Sequence, residues 1–244
     1  MPINAVAIIP AHLASTRLPR KILREIAGKS MLAHVYEAVK KSPLLREVII
    51  ATDSEEVLQM AKSRGWRAEM TSSQHRSGTD RVHEVAQREL AEVYVNVQGD
   101  EPLARPEHLE ALLRPMHKPE VMVSTIMTPC LSHDVDNPNA VKVVTDKNGR
   151  ALYFSRSTIP FNRDQNCSVK YFKHLGFYAY RKAALDRFCN LPESVLEAAE
   201  RLEQLRFLEN GTDIFVEETP YNTVGVDTEE DLRRVEEMLS SGSF

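Results

Sequence analysis

Three short apolar runs each empty into a polar loop, and this arrangement restricts the possible folds more than any other feature of the chain. Residues 6–9 (Val-Ala-Ile-Ile) stop at Pro10. Residues 48–51 (Val-Ile-Ile-Ala) lead into Thr52-Asp53-Ser54. Residues 93–97 (Val-Tyr-Val-Asn-Val) run into Gln98-Gly99-Asp100-Glu101-Pro102. Runs so short and apolar read as strands buried on both faces, as in a parallel sheet. Helical patterns lie between them. Ser30 is placed to cap a helix with Met31, Leu32, Val35, Ala38 and Val39 on one face. A second helix is expected near 55–64, ended by Gly65, with a short strand near 67–70. This alternation predicts an α/β fold with crossover helices. Ligands of such folds bind at the carboxyl ends of the strands.

Further along, a helix is expected near 79–90 and another near 106–116, with Pro106 in its first turn. The middle third breaks the rhythm. A strand near 122–127 precedes an Asn-Pro-Asn turn at 137–139. Apolar runs at 140–144 and 151–155 flank Asn148-Gly149, a β-hairpin signal. Residues 173–181 alternate polar and aromatic side chains as a strand does. One helix is expected over 194–210, closed by Gly211, then a strand pair at 214–217 and 224–226. Thr228 and Asp231 have the spacing of a capping box for a C-terminal helix. Residues 240–244 read as a frayed tail.

Composition narrows the function. The 244 residues are 42% hydrophobic and 27% charged, as in a globular protein. No apolar run is long enough to cross a bilayer, so no membrane insertion is expected. No secretory signal is seen at the N-terminus, and a cytoplasmic location is expected. Cys130, Cys167 and Cys189 lie far apart, which suits free thiols better than disulfides or a zinc site. A net charge of −4, with no long basic block, argues against nucleic-acid binding.

The chemistry-bearing residues sit in the loops after the strands. The first loop carries Ser15, Thr16, Arg17, Arg20 and Lys21, hydroxyls and cations suited to phosphates. It is neither a Walker A loop nor a dinucleotide fingerprint. The loop at 71–81 is polar, and Gly78 permits close approach of a ligand. Asp100, just past a strand end, can serve as a Mg²⁺ ligand or as a turn residue. Asp227 can ligate the same ion or merely cap the last helix. His174 alone reads as a structural hydrogen bonder, and Glu203 and Gln204 as part of a solvated helix face.

Several of these segments together resemble one family, the 3-deoxy-manno-octulosonate (Kdo) cytidylyltransferases. Pro10, Ala11, Ser15, Thr16, Arg17, Leu18, Pro19 and Lys21 match its first motif. His12 stands where that family usually has Arg, and Arg20 where Gly is common. Gln74, His75, Ser77, Gly78, Thr79 and Arg81 match a second motif. The segments 95–102, 137–144, 151–160, 202–206 and 225–228 match others, so the resemblance runs from residue 6 to about 238.

The resemblance implies a GT-A-like nucleotidyltransferase fold in a single domain, 1–244. Its mostly parallel sheet is flanked by helices, and a β-rich insertion at about 121–180 supports sugar binding and homodimerisation. It implies the Mg²⁺-dependent reaction of CTP with Kdo to give CMP-Kdo and pyrophosphate, for the lipopolysaccharide inner core. Pro10, Ala11, His12, Ser15, Thr16, Arg17, Lys21 and the 74–81 motif would bind CTP. Lys21, Arg17, Asp100 and Asp227 would carry catalysis, with Asp100 and Asp227 holding the metal. Gln98, Arg156, His174, Tyr178, Glu203 and Gln204 would bind the sugar acid. Arg20 is expected to replace part of the charge missing at His12. Three alternatives remain at this point: a related acid sugar such as the 8-amino analogue of Kdo, a sialic acid activator, and a catalytically weak nucleotide-binding module.

Overall fold

The computed structural model describes residues 3–15, 17–164 and 168–242. Thr16 and Cys167 lie outside the described residues. The chain divides into two compact units, one of residues 1–110 with 222–244, the other of residues 111–221. The second unit extends beyond the 121–180 segment expected as an insertion.

The first unit is built on four parallel strands: β1 (Ala5–Pro10), β4 (Leu45–Thr52), β5 (Ala68–Met70) and β6 (Val93–Asn96), in the order β6-β1-β4-β5. Residues 5–9 and 48–51 are buried throughout, as their unbroken apolar sequence requires. A two-stranded ribbon, β2 (Glu25–Ile26) and β3 (Lys29–Ser30), follows the first loop. Helices α1 (Met31–Lys40), α2 (Glu55–Ser63) and α3 (Gly78–Ala86) make the crossovers. Each begins at a serine, Ser30, Ser54 or Ser77, whose hydroxyl accepts a backbone N–H of the first turn. Helix α3 is shorter than the expected 79–90, ending at Ala86. Helix α4 (Pro106–Leu113) starts at its proline.

The C-terminal helix, Glu229–Ser241, returns to the first unit. Its Leu232 and Val235 join Leu18, Ile26, Met31, Leu103 and Val226 in one buried cluster. That cluster fixes the chain just before the helix, where Asp227 lies. The predicted capping box is present: Thr228 accepts from the Asp231 amide, and Asp231 accepts from the Thr228 amide. Residues 224–226 are irregular rather than a strand, and Val226 instead donates its N–H to the Asp100 carbonyl at 2.9 Å.

The second unit is mixed. Strand β7 (Val123–Pro129) runs antiparallel to β10 (Phe172–Arg181) and parallel to β11 (Phe215–Glu218). Strands β8 (Lys142–Thr145) and β9 (Ala151–Ser155) form the predicted hairpin, with Gly149 at φ 79° in its turn. Helix α5 (Lys182–Asn190), absent from the sequence expectations, follows β10. The single helix expected over 194–210 is two: α6 (Val195–Glu200) and α7 (Gln204–Glu209). Arg201 breaks them apart in the left-handed region at φ 55°. A bidentate pair of Arg206 with Glu197, at 2.6 and 2.7 Å, ties the two helices together.

Candidate active site

The loops after β1 and β6 meet at the carboxyl edge of the parallel sheet. Gly99 is required there. A Cβ on it would lie 2.8 Å from the Pro10 carbonyl oxygen, nearer than atoms pack. Gly78, opening α3, packs against the Gln98 amide and Pro10; a Cβ on it would meet them at 3.2 to 3.4 Å. Ala11 continues the edge, donating its N–H to the Ala51 carbonyl at 2.8 Å. Pro10, Ala11, Gly78 and Gln98 therefore form one compact floor.

Above it the charges converge. Lys21, in a single 3₁₀ turn (Lys21–Leu23), places Nζ 2.5 Å from Asp100 Oδ2 and 2.8 Å from Asp227 Oδ1. Arg17 donates to the other Asp227 oxygen at 2.8 Å. Burial alone would lower the Lys21 pKa. Asp100 and then Asp227 more than reverse that, so the ammonium is held above its ordinary range. Burial pushes the Asp227 carboxyl up, and Lys21 and Arg17 bring it below the usual value. Thr228, not Asp227, caps the last helix, so the Asp227 carboxylate is available for other work.

Two carboxylates within reach of one ammonium can also share one small divalent cation. Among the described residues no cluster of three or more His, Cys, Asp or Glu side chains could cage a metal. A pair of carboxylates fits the needs of Mg²⁺, which takes one or two carboxylates and completes its octahedron with waters and phosphates.

The second motif is arranged differently from a simple row of ligand contacts. Ser77 spends its hydroxyl as the N-cap of α3. Thr79 is buried. Arg81 is 3% exposed. Its guanidinium donates to Asp53 at 2.9 Å, to Thr71 and to the Ser72 carbonyl, so it braces the loop from beneath. Gln74 donates its N–H to Ser72 Oγ at 3.1 Å, and His75 Nε2 lies 2.5 Å from Glu84. Ser15 accepts the Leu18 N–H at 3.3 Å, closing the first loop on itself. His12 is exposed, as is Arg20, which pairs with Glu56 of α2. Arg20 has φ 57°, a left-handed conformation that glycine adopts freely. The family's usual glycine at this position has a backbone reason.

Three braces carried no signal as site residues in the sequence. Asp53 anchors Arg81. Glu101 accepts from Thr223 at 2.7 Å, holding the segment before Asp227. Asn96, wholly buried, accepts from Gln98 Nε2 at 3.0 Å and fixes how that amide points, while its own Nδ2 has no partner. Each follows a strand or ends one, which is the feature that could have singled them out.

The second unit holds the other predicted set. His174 and Tyr178 lie on β10, their rings 5.4 Å apart, and Tyr178 stacks on Tyr180. The Thr125 hydroxyl donates to the Phe177 carbonyl at 2.7 Å, so it accepts from His174 Nε2–H at 2.9 Å. That network assigns the Nε2–H tautomer and leaves Nδ1 as an acceptor. Burial lowers the His174 pKa to about 3, so the ring is neutral at physiological pH. Burial, then Tyr180 and Glu203, pushes the Tyr178 phenol up. Among the described residues Gln204 Nε2 is buried with no hydrogen-bond partner, and the buried Tyr178 hydroxyl has Thr125 as its side-chain neighbour. Leaving a buried donor unpaired is costly, which makes Gln204 a candidate for contact with a polar ligand. Arg156, just past β9, donates Nε to the Glu200 carbonyl at 2.7 Å, Nη1 to Pro138 at 3.0 Å and Nη2 to Arg201 at 3.4 Å. All three are carbonyls, and no carboxylate neutralises the guanidinium among the described residues. Glu203 heads α7 beside Gln204.

Comparison with known proteins accords with this arrangement. A sequence profile for the cytidylyltransferases matches residues 6–214. The chain belongs to that family, and within it to the 3-deoxy-manno-octulosonate cytidylyltransferases. A protein of that name from Koribacter versatilis is 67% identical over 239 residues, covering 98% of this chain and 91% of the relative. One from Acidobacterium capsulatum is 59% identical over 237 residues, covering 97% of each. A solved structure of CMP:2-keto-3-deoxy-manno-octonic acid synthetase, complexed with CTP, superposes with a TM-score of 0.94. It is 42% identical and covers 98% of this chain and 99% of that one. The α/β expectation, a mostly parallel sheet with flanking helices, agrees with that likeness.

Proposed function

We propose that the chain transfers CMP from CTP to Kdo, releasing pyrophosphate. The observation that carries this reading is the convergence of Asp100 and Asp227 on Lys21 at the carboxyl edge of the sheet. It occurs in a chain 67% identical to a relative named for the reaction.

The residues of the first unit bind and activate the nucleotide. Lys21 and Arg17 are fixed cations for the triphosphate, and they offset the charge that grows on the departing pyrophosphate. Asp100 and Asp227 would hold Mg²⁺, which would supply Lewis-acid polarisation there. The floor formed by Pro10, Ala11, Gly78 and Gln98 brings backbone close to the nucleotide. The 74–81 loop, braced by Arg81, faces the base and ribose. The residues of the second unit select the acid sugar. Arg156 takes the carboxylate, and His174 Nδ1, Tyr178, Gln204 and Glu203 take hydroxyls. No covalent nucleophile with an adjacent base is present among the described residues, so direct in-line displacement is the step assigned.

The homodimer belongs to the same proposal. Leu152 and Phe161 of the second unit are 63% and 83% exposed, apolar surface that a second copy would cover. Sedimentation of the purified chain tests it. Among the described residues no helix is long and apolar enough to cross a membrane.

The deciding experiment is pyrophosphate release with CTP or UTP against a panel of Kdo, its 8-amino analogue and sialic acid, with and without Mg²⁺. Turnover is expected with CTP, Kdo and Mg²⁺. Equal use of UTP, or turnover on sialic acid but not on octulosonates, would overturn the assignment.

A further inference from the structure

Lys142 takes no part in the function described so far, yet it is wholly buried. It opens β8, opposite Ser155 of β9, the residue before Arg156. Its ammonium gives one proton to each of three carbonyls: Ala140 at 2.6 Å, Asn137 at 2.8 Å and Arg156 at 2.8 Å. These use all its donors. No carboxylate pairs with it among the described residues. Asp134 lies instead 3.8 Å from Lys173, and Asp136 accepts from Thr158. On its other side the same strand end is held by Glu200, which accepts from Ser155 Oγ at 2.6 Å and the Arg156 N–H at 2.9 Å.

A buried ammonium without a counter-ion is costly, and an apolar side chain would fill the space at less expense. The arrangement makes sense if the cation serves something beyond packing. Lys142 fixes the carbonyl of Arg156 and also the 137–140 turn, whose Pro138 carbonyl orients the Arg156 guanidinium. The ammonium and the guanidinium then stand close together, each bonded directly to carbonyls, while the nearby carboxylates of Asp134, Asp136 and Glu200 are engaged by other groups. That keeps a positive potential which an anionic ligand satisfies.

We propose that Lys142 is a positioning residue for the sugar acid: it locks Arg156 in place and adds a second, buried positive charge behind it. This rests on the reading of Arg156 as the anchor of the substrate carboxylate. The test is Lys142→Met, similar in length and uncharged. Its KM for Kdo is expected to rise at least tenfold while its KM for CTP stays within twofold of wild type. Amide exchange at 156–158 is expected to speed up, with little change elsewhere in the unit. A KM for Kdo within twofold of wild type would overturn the proposal. So would equal rises in both KM values with a lowered unfolding temperature, since that is the mark of a merely structural residue. If the methionine variant does not fold, the same split is read on Lys142→Gln, which keeps two N–H donors without the charge. Wild type measured in parallel separates the two ideas. Were wild type inactive on every acid sugar, the proposed function would fail. Exchange at 156–158 alone would then decide whether Lys142 holds Arg156.

Discussion

Gly99→Ala is a small change that should disturb Asp100 and Asp227, the carboxylates proposed to hold the metal, without touching them. The added Cβ would sit 2.8 Å from the Pro10 carbonyl oxygen, where ordinary contact begins near 3.4 Å, a shortfall of about 0.6 Å. The neighbour is backbone at the end of β1, where Pro10 is in register with Ala51 of β4, so no flexible side chain can swing away. The loop after β6 must move instead, and Asp100 is its next residue. Overpacking of this kind costs about 1–3 kcal/mol, which for a chain of this size lowers the unfolding temperature by several degrees. The kinetic cost should be larger. A misplacement on the order of 1 Å can cost about a hundredfold in rate, and a half-ångström shift of Asp100 relative to Lys21 and Asp227 should cost ten- to a hundredfold in kcat. The assay is pyrophosphate release at saturating CTP and Kdo across a Mg²⁺ titration, with the apparent Mg²⁺ constant rising alongside the loss of kcat. If Gly99→Ala keeps kcat within twofold and melts within one degree of wild type, the loops are more compliant than this packing implies.

Asp100→Asn and Asp227→Asn should each remove most turnover and leave the fold intact, because a neutral amide is a poor Mg²⁺ ligand; near-normal rates at limiting Mg²⁺ would refute the metal assignment. Tyr178→Phe should change stability by no more than about 1 kcal/mol, since the buried hydroxyl has only the Thr125 contact to lose, while the KM for Kdo rises. A fall in stability with an unchanged KM would place that hydroxyl in the fold rather than the site. His174 is neutral when folded down to about pH 3, whereas an unfolded histidine takes up its proton near pH 6.5. Between those values the unfolded state binds more protons, so stability is lost as pH falls. His174→Gln should flatten that slope by one proton in urea titrations from pH 7 to 4, and an unaltered slope would contradict it. Arg20→Gly should stabilise the chain by up to about 1 kcal/mol, relief of left-handed strain exceeding the loss of an exposed ion pair. Its KM for CTP should stay near wild type, and a large rise would restore Arg20 to the triphosphate.

The first unit was legible because its signals are local. The central strands β1, β4 and β6 each hold a run of apolar residues, the crossover helices α1, α2 and α3 each start at a serine, and both patterns are written within ten residues. The second unit was less legible because its decisive features are not local. Helices α6 and α7 separate at Arg201, a residue with no intrinsic leaning to the left-handed region, and the break is stabilised by the Glu197–Arg206 fork across nine positions. Residues 224–226 carry the β-branched pattern of a strand. Val226 nevertheless finds its backbone partner at Asp100, over a hundred residues earlier, and remains irregular.

The same distinction explains which site residues could be foreseen. Arg81 looks like a ligand in a motif, a cation two residues after Thr79 in a polar loop. Its role depends on Asp53, which lies at the end of a different strand and is silent in the 71–81 segment. Once the two are paired, the guanidinium is sealed below the loop, and its charge is spent on holding Thr71 and Ser72 in place. Lys21 presents the opposite case. Its loop alone suggests a phosphate cation, and the fold keeps that charge by setting it against two carboxylates rather than one. Shared between Asp100 and Asp227, the ammonium leaves the three groups with a net negative charge, and Arg17 brings the cluster back to neutral. A neutral cluster of four fixed charges can admit a divalent cation together with an anionic triphosphate at little electrostatic cost, because the two guests arrive with opposing charge. Replacing either cation or either acid would unbalance that exchange, so in the proposed reaction all four residues act together although they lie in three separate stretches of sequence.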